Sequence, residues 1–94
     1  MPRVRLTGFL ICRSLEESDI VAAALPEHIR LTRAEVGCLS FDVLRSSADP
    51  CRFAVRETFR SPEDFDAHQV RTRASAWWIE TQHIPRDFKI IESD

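Results

Sequence analysis

Apolar residues alternate through Val4, Leu6, Leu10 and Cys12, while Phe9 and Ile11 fall on the opposite parity. A period of two predicts a strand over 4–12, and apolar residues on both parities predict that both of its faces are covered. Ser14-Leu15-Glu16-Glu17 reads as a capping box, with Ser14 bonding forward and Glu17 reaching back. The helix it opens carries Ile20, Val21, Ala24, Leu25 and Ile29 at i, i+4 spacing, and Pro26 predicts a kink or restart within it. Arg33 to Gly37 closes the helix, with Gly37 free to adopt positive φ.

Period two returns at 38–44, where Leu39, Phe41 and Val43 share a face, and again at 52–59. Ser46-Ser47-Ala48-Asp49-Pro50 is a turn by composition. Ser61 caps a second helix with Pro62 in its first turn, and helical character persists to about Gln82 with a break near 73–75. Pro85 bars further helix, and a short strand follows over 87–92. The order is β-α-β-β-α(α)-β, an α+β, ferredoxin-like antiparallel sheet with its helices on one face. The other face still needs cover, which predicts a homodimer.

Ninety-four residues make one domain, 1–94, and a chain this short gains from burial through self-association. A net charge of −2 offers no basic footprint for nucleic acid, although twelve Arg stand against the single Lys89. Cys12, Cys38 and Cys51 lack Cys-x-x-Cys spacing and read as free, small hydrophobes. No apolar run approaches the ~20 residues of a membrane span, and the N-terminus lacks a signal-peptide pattern. A reduced, cytoplasmic protein without membrane attachment is the expectation.

Glu57 alternates with Phe53, Val55 and Phe59, so an acid falls on an apolar strand face. Such a carboxyl is either paired, an Arg being the expected partner, or has its pKa raised by burial. His68 follows Phe65 by three and points near the same face, where an imidazole could transfer protons at neutral pH. A packed His bonded to a backbone carbonyl is the alternative. His28, four residues after Ala24, could reach the same space or be a packing residue. Trp77 and Trp78 point about 100° apart on a helix, so one packs while the other flanks a pocket or a dimer seam. Flat aromatic walls suit a polycyclic or quinone-like ligand. His28, His68 and Glu57 have no helical or hairpin ligand spacing, so a metal site is not expected, and no glycine motif supports nicotinamide or flavin.

An acid and glycine (Glu35-Val36-Gly37), a strand, a turn, a strand with an inward Glu57 and a helix with His68 appear in that order. This ordered set resembles the antibiotic biosynthesis monooxygenase family of dimeric α/β barrels. The resemblance implies two sheets packed face to face. It also implies oxygenation of a quinol or other aromatic hydroxyl compound by O2, with neither metal nor organic cofactor. It would make His68 or Glu57 the base, line the substrate pocket with Trp77, Trp78, Phe41 and His28, and give an Arg, with Arg86 proposed, the anion. The chain has no Tyr and no Asn, which removes a phenolic proton donor and the Asn-Trp-His set of haem-degrading relatives. A non-catalytic ligand-binding barrel and an isomerase of a small phosphorylated metabolite remain open alternatives.

Overall fold

The computed structural model describes residues 2–93. Its elements are β1 (Arg3–Ile11), α1 (Leu15–Arg33), β2 (Cys38–Arg45), β3 (Arg52–Phe59), α2 (Pro62–Arg73), α3 (Ala76–Thr81) and β4 (Arg86–Ser93). The strands form one antiparallel sheet in the order β2-β3-β1-β4. This is the α+β, ferredoxin-like arrangement that the hydrophobic pattern predicts.

Alternation along the strands turns Val4, Leu6 and Leu10, Phe41 and Val43, and Phe53, Val55 and Phe59 into one buried layer. Val21, Leu25, Phe65 and Trp77 cover it from the helices. Both capping residues act as their sequence suggests: Ser14 Oγ accepts from the Glu17 N–H and Ser61 Oγ from the Asp64 N–H. Glu17 reaches back one residue beyond the cap, to the N–H of Arg13.

Besides Leu39, which a bulge between Cys38 and Ser40 turns away from the face of Phe41 and Val43 and leaves 49% exposed, three local expectations fail. First, α1 does not restart at Pro26: Leu15–Arg33 is one helix, with Pro26 exposed on its outer side. Second, Ile20 is 45% exposed; Val21 and Leu25 are buried as expected, but the rest of the buried stripe is Ser18, His28 and Thr32, so polar residues extend it at both ends. Third, Gly37 does not adopt positive φ. It is needed for close approach, because a Cβ there would lie 2.2 Å from Asp64 Cβ at the start of α2.

Positive φ occurs instead at Gly8, at 152° in the middle of β1, where a Cβ would lie 2.0 Å from the carbonyl oxygen of Asp87 on β4. The uncovered sheet face carries Phe9, Leu44 and Ile91, all partly exposed, among Arg5, Arg56 and Asp42. Among the described residues no helix is long and apolar enough to cross a membrane.

Gly8→Ala and Gly37→Ala should each lower stability by about 1–3 kcal/mol, since the added methyl forces backbone or packed atoms aside. Thermal melts check this; a variant melting with wild type would show that its neighbours yield freely.

Candidate active site

Between the helices and the sheet lies a cavity of about 200 Å³. Seven residues singled out in the sequence, His68, Glu57, Trp77, Trp78, Phe41, His28 and Arg86, all line it. They come from β2, β3, β4 and all three helices, so the site exists only once the sheet and helices have closed on each other.

Glu57 is 6% exposed. In the strand register it faces Leu6 on one side and Phe41 on the other, both apolar. The expected Arg partner is absent: among the described residues its ion-pair neighbour is His68, whose Nε2 lies 3.8 Å from Oε1. The Arg residues of β3 (Arg52, Arg56) lie on the opposite parity and so on the other face. Burial pushes the Glu57 carboxyl up to about 7, with the negative charge of Glu35 adding to the rise.

His68 is buried on α2 and faces the sheet, one turn after Phe65. Its Nδ1 lies 2.9 and 3.1 Å from the two Glu35 oxygens, and Thr72 Oγ1 lies 3.4 Å from Nε2. Its ring lies 4.7 Å from that of Phe59, centroid to centroid. Burial draws the imidazole below its usual value, against the opposing pull of the Glu35 hydrogen bond and charge. Arg71 in turn donates from Nε to Glu35 and from Nη2 to Thr32 Oγ1, the latter at 2.9 Å. Glu35 marked the motif in the sequence without a role, and Arg71, Thr72 and Thr32 were not singled out. Thr72 was within reach of pattern reasoning, lying four residues after His68 on the same helical face. The Glu35 contact was not, since it depends on how a loop between α1 and β2 meets α2.

His28 sits squarely on the buried stripe of α1 and stacks flat on Trp77, with ring centroids 4.4 Å apart and planes 1° from parallel. Burial, with the charge of Arg71 and weaker effects from His68 and Arg86, holds it down to about 3, so it is neutral at physiological pH. Its Nδ1 is buried and has no hydrogen-bond partner among the described residues. Trp78 is half-buried, and the guanidinium of Arg86 lies 5.0 Å over its ring. Arg86 donates to the carbonyls of Thr81 and Ile84 and to Thr81 Oγ1, all neutral. Among the described residues no carboxylate pairs with it, so a cation without a counter-charge borders the cavity. Among the described residues, no cluster of three or more His, Cys, Asp and Glu side chains is placed to hold a metal ion.

The Glu57 carboxyl sets a sign for pH dependence. Its folded pKa lies above its unfolded value, so the protonated form stabilises the fold below about pH 4.5, and that contribution is lost as pH rises through about 7. At about 1.4 kcal/mol per pKa unit, the loss is on the order of 3 kcal/mol. Glu57→Gln, which cannot ionise, should therefore gain thermal stability relative to wild type between pH 5 and 8. A difference in melting temperature that stays constant over that range would contradict the uncompensated burial of Glu57.

No curated protein matches the chain. Among solved structures it is similar to a Nitrosomonas europaea protein provisionally named an antibiotic biosynthesis monooxygenase, at 22% identity over 96% of this chain and 88% of that one, with a TM-score of 0.74. A Caulobacter crescentus CB15 structure with the same provisional name is 14% identical over 99% of this chain and 91% of its own, with a TM-score of 0.78. A Bacteroides thetaiotaomicron protein of unknown function, described as a possible oxidoreductase, is 22% identical over 97% of both chains, with a TM-score of 0.74. At these identities the likeness carries the fold alone. The family model is more specific: it matches residues 15–77, more than half of the chain and most of the cavity wall, and by that match the chain belongs to the antibiotic biosynthesis monooxygenase family.

Proposed function

We propose that the chain is a cofactor-independent monooxygenase that uses O2 on a quinol or other aromatic hydroxyl compound. The observation that carries this reading is the cavity itself, where a buried imidazole and an acid share a space walled by aromatic rings and bordered by an unpaired Arg. In the proposed reaction His68 Nε2 takes the hydroxyl proton and Arg86 holds the resulting anion. The aromatic walls, Phe41, Trp77 and Trp78, exclude water from the electron-rich ring that reacts with O2. Glu57, with a pKa raised to about 7, is the second candidate for the base. His28, neutral and stacked on Trp77, contributes a flat wall.

The size of the cavity narrows the substrate. About 200 Å³ falls below the ~300–1,000 Å³ typical of sites for drug-sized ligands, which favours a small aromatic over a large polycyclic one. A phosphorylated metabolite fits less well, because Arg86 spends three of its N–H donors on protein oxygens, which leaves enough for a single phenolate oxygen but few for the several oxygens of a phosphate. We further propose a cytoplasmic homodimer, closed through the uncovered sheet faces bearing Phe9, Leu44 and Ile91. An obligate interface of that kind buries on the order of 2,000 Å² or more.

Oxygen uptake with a panel of benzoquinols and naphthoquinols, in the presence of a chelator, is the direct test. Turnover should survive the chelator and fall by about 10²–10⁴-fold in His68→Ala, with the melting temperature little changed. No uptake with any member of the panel would favour a ligand-binding barrel. Light scattering should give twice the chain mass at micromolar concentration, and a monomer would remove the dimer.

A further inference from the structure

We infer that Glu35 is a positioning residue for this site: it holds the Nδ1 proton of His68 and so leaves Nε2 as the basic nitrogen facing the cavity. The inference rests on the reading of His68 as the base, and it says how that base is prepared.

A carboxylate only accepts hydrogen bonds, and a neutral imidazole carries one N–H and one bare nitrogen. Both Glu35 oxygens lie within 3.1 Å of His68 Nδ1, so Nδ1 must be the donor, and the bare nitrogen is Nε2. The opposite tautomer would set a lone pair against a carboxylate. Nε2 has beside it a group that suits an acceptor, the Thr72 hydroxyl at 3.4 Å. The Glu57 carboxyl, 3.8 Å away, suits one in its protonated form, and both residues line the cavity. Burial draws the imidazole below its usual pKa and so favours the neutral form that can accept a proton.

Glu35 is itself held. Arg71 donates to its Oε2 and is tied by Nη2 to Thr32 of α1, so the acceptor is fixed between two helices. Glu35 lines a separate outer recess of about 240 Å³ and not the cavity, whereas His68 borders both. Glu35 therefore has no route to a bound substrate and acts through the imidazole. When Nε2 takes a proton, the imidazolium that forms faces the Glu35 carboxylate, which favours it.

Glu35→Gln is the discriminating variant. Arg71 can only donate, so the single amide oxygen turns toward Arg71 and the amide NH2 meets Nδ1. Nδ1 must then accept, and the proton moves to Nε2. In long-range proton–nitrogen correlation spectra of the 15N-histidine-labelled full chain, wild-type His68 should show a protonated Nδ1 and a bare Nε2. The Gln variant should show the reverse. With a quinol that the wild type oxidises, kcat should fall on the order of 10⁴-fold with KM little changed, as when an amide imposes the wrong tautomer on a catalytic His. A wild-type His68 protonated at Nε2, or a Gln variant that keeps the wild-type tautomer, would overturn the inference. Should the Gln variant fail to fold, the wild-type spectrum decides alone. The stated tautomer without any oxygen uptake would remove the oxygenase reading and leave Glu35 as the positioner of His68. Uptake that depends on His68 with the tautomer reversed would do the opposite.

Discussion

The burial of Glu57, with no Arg or Lys paired to it among the described residues, is the constraint around which the rest of the site is arranged. An ionised carboxylate between Leu6 and Phe41 would be strongly disfavoured, and an apolar side chain there would simply complete the core. The chain does neither. It keeps the carboxyl, lets burial raise its pKa to about 7, and leaves a cavity beside it. The inner layer of this small domain is thus less well packed at its centre than its aliphatic strands would allow. That gap is where the chemistry can occur.

From Glu57 a line of polar groups runs outward through His68 and Glu35 to Arg71, crossing from sheet to helix to loop. Burial acts in opposite directions along its inner end: it raises the acid and lowers the imidazole, moving both toward their neutral forms. With its pKa at about 7, the Glu57 carboxyl is divided between its protonated and ionised forms at neutral pH. The protonated form can sit 3.8 Å from a neutral imidazole, where an ion pair would demand better hydrogen bonding. Either can then exchange a proton with a ligand at neutral pH. At the outer end Glu35 is flanked by both a guanidinium and an imidazole N–H, so the charge is partnered where solvent is closer.

The elements were legible in the sequence because one physical rule dominates each. Period-two alternation fixed which faces of β1, β3 and the part of β2 beyond its bulge turn inward, and that put Phe41 and Glu57 on the cavity side, while Leu39 at the bulge escaped it. Helical spacing from Phe65 aimed His68 at the sheet. What escaped depends on contacts between elements. Ile20 reads as core by hydrophobicity, but the stripe that meets the sheet lies one residue round the helix and uses Ser18 and Thr32. Gly37 reads as a helix terminator, yet its smallness serves the approach of Asp64 from α2. The Arg expected for Glu57 was the commonest solution to a buried acid, and the strand register does not allow it from β3, whose Arg residues lie on the other face. The pairing of Glu35 with His68 joins residues 33 positions apart, beyond any local period.

The uncovered face bears on the same cavity, because its residues alternate with the cavity wall on the same strands. The rows Leu44–Ala54–Phe9 and Asp42–Arg56–Thr7 run across it, the first apolar and the second carrying both signs of charge. A twofold axis brings a patch against its own copy, so a face holding both Asp42 and Arg56 can be self-complementary where a face of one sign could not. Leu6 and Leu10, on the cavity side, flank Thr7 and Phe9 in the same strand. Anything that fixes Phe9 from outside therefore also stiffens the floor on which a ligand would rest. In a chain of 94 residues with a gap at its centre, cover for that face would both add burial and steady the geometry between Glu57 and His68.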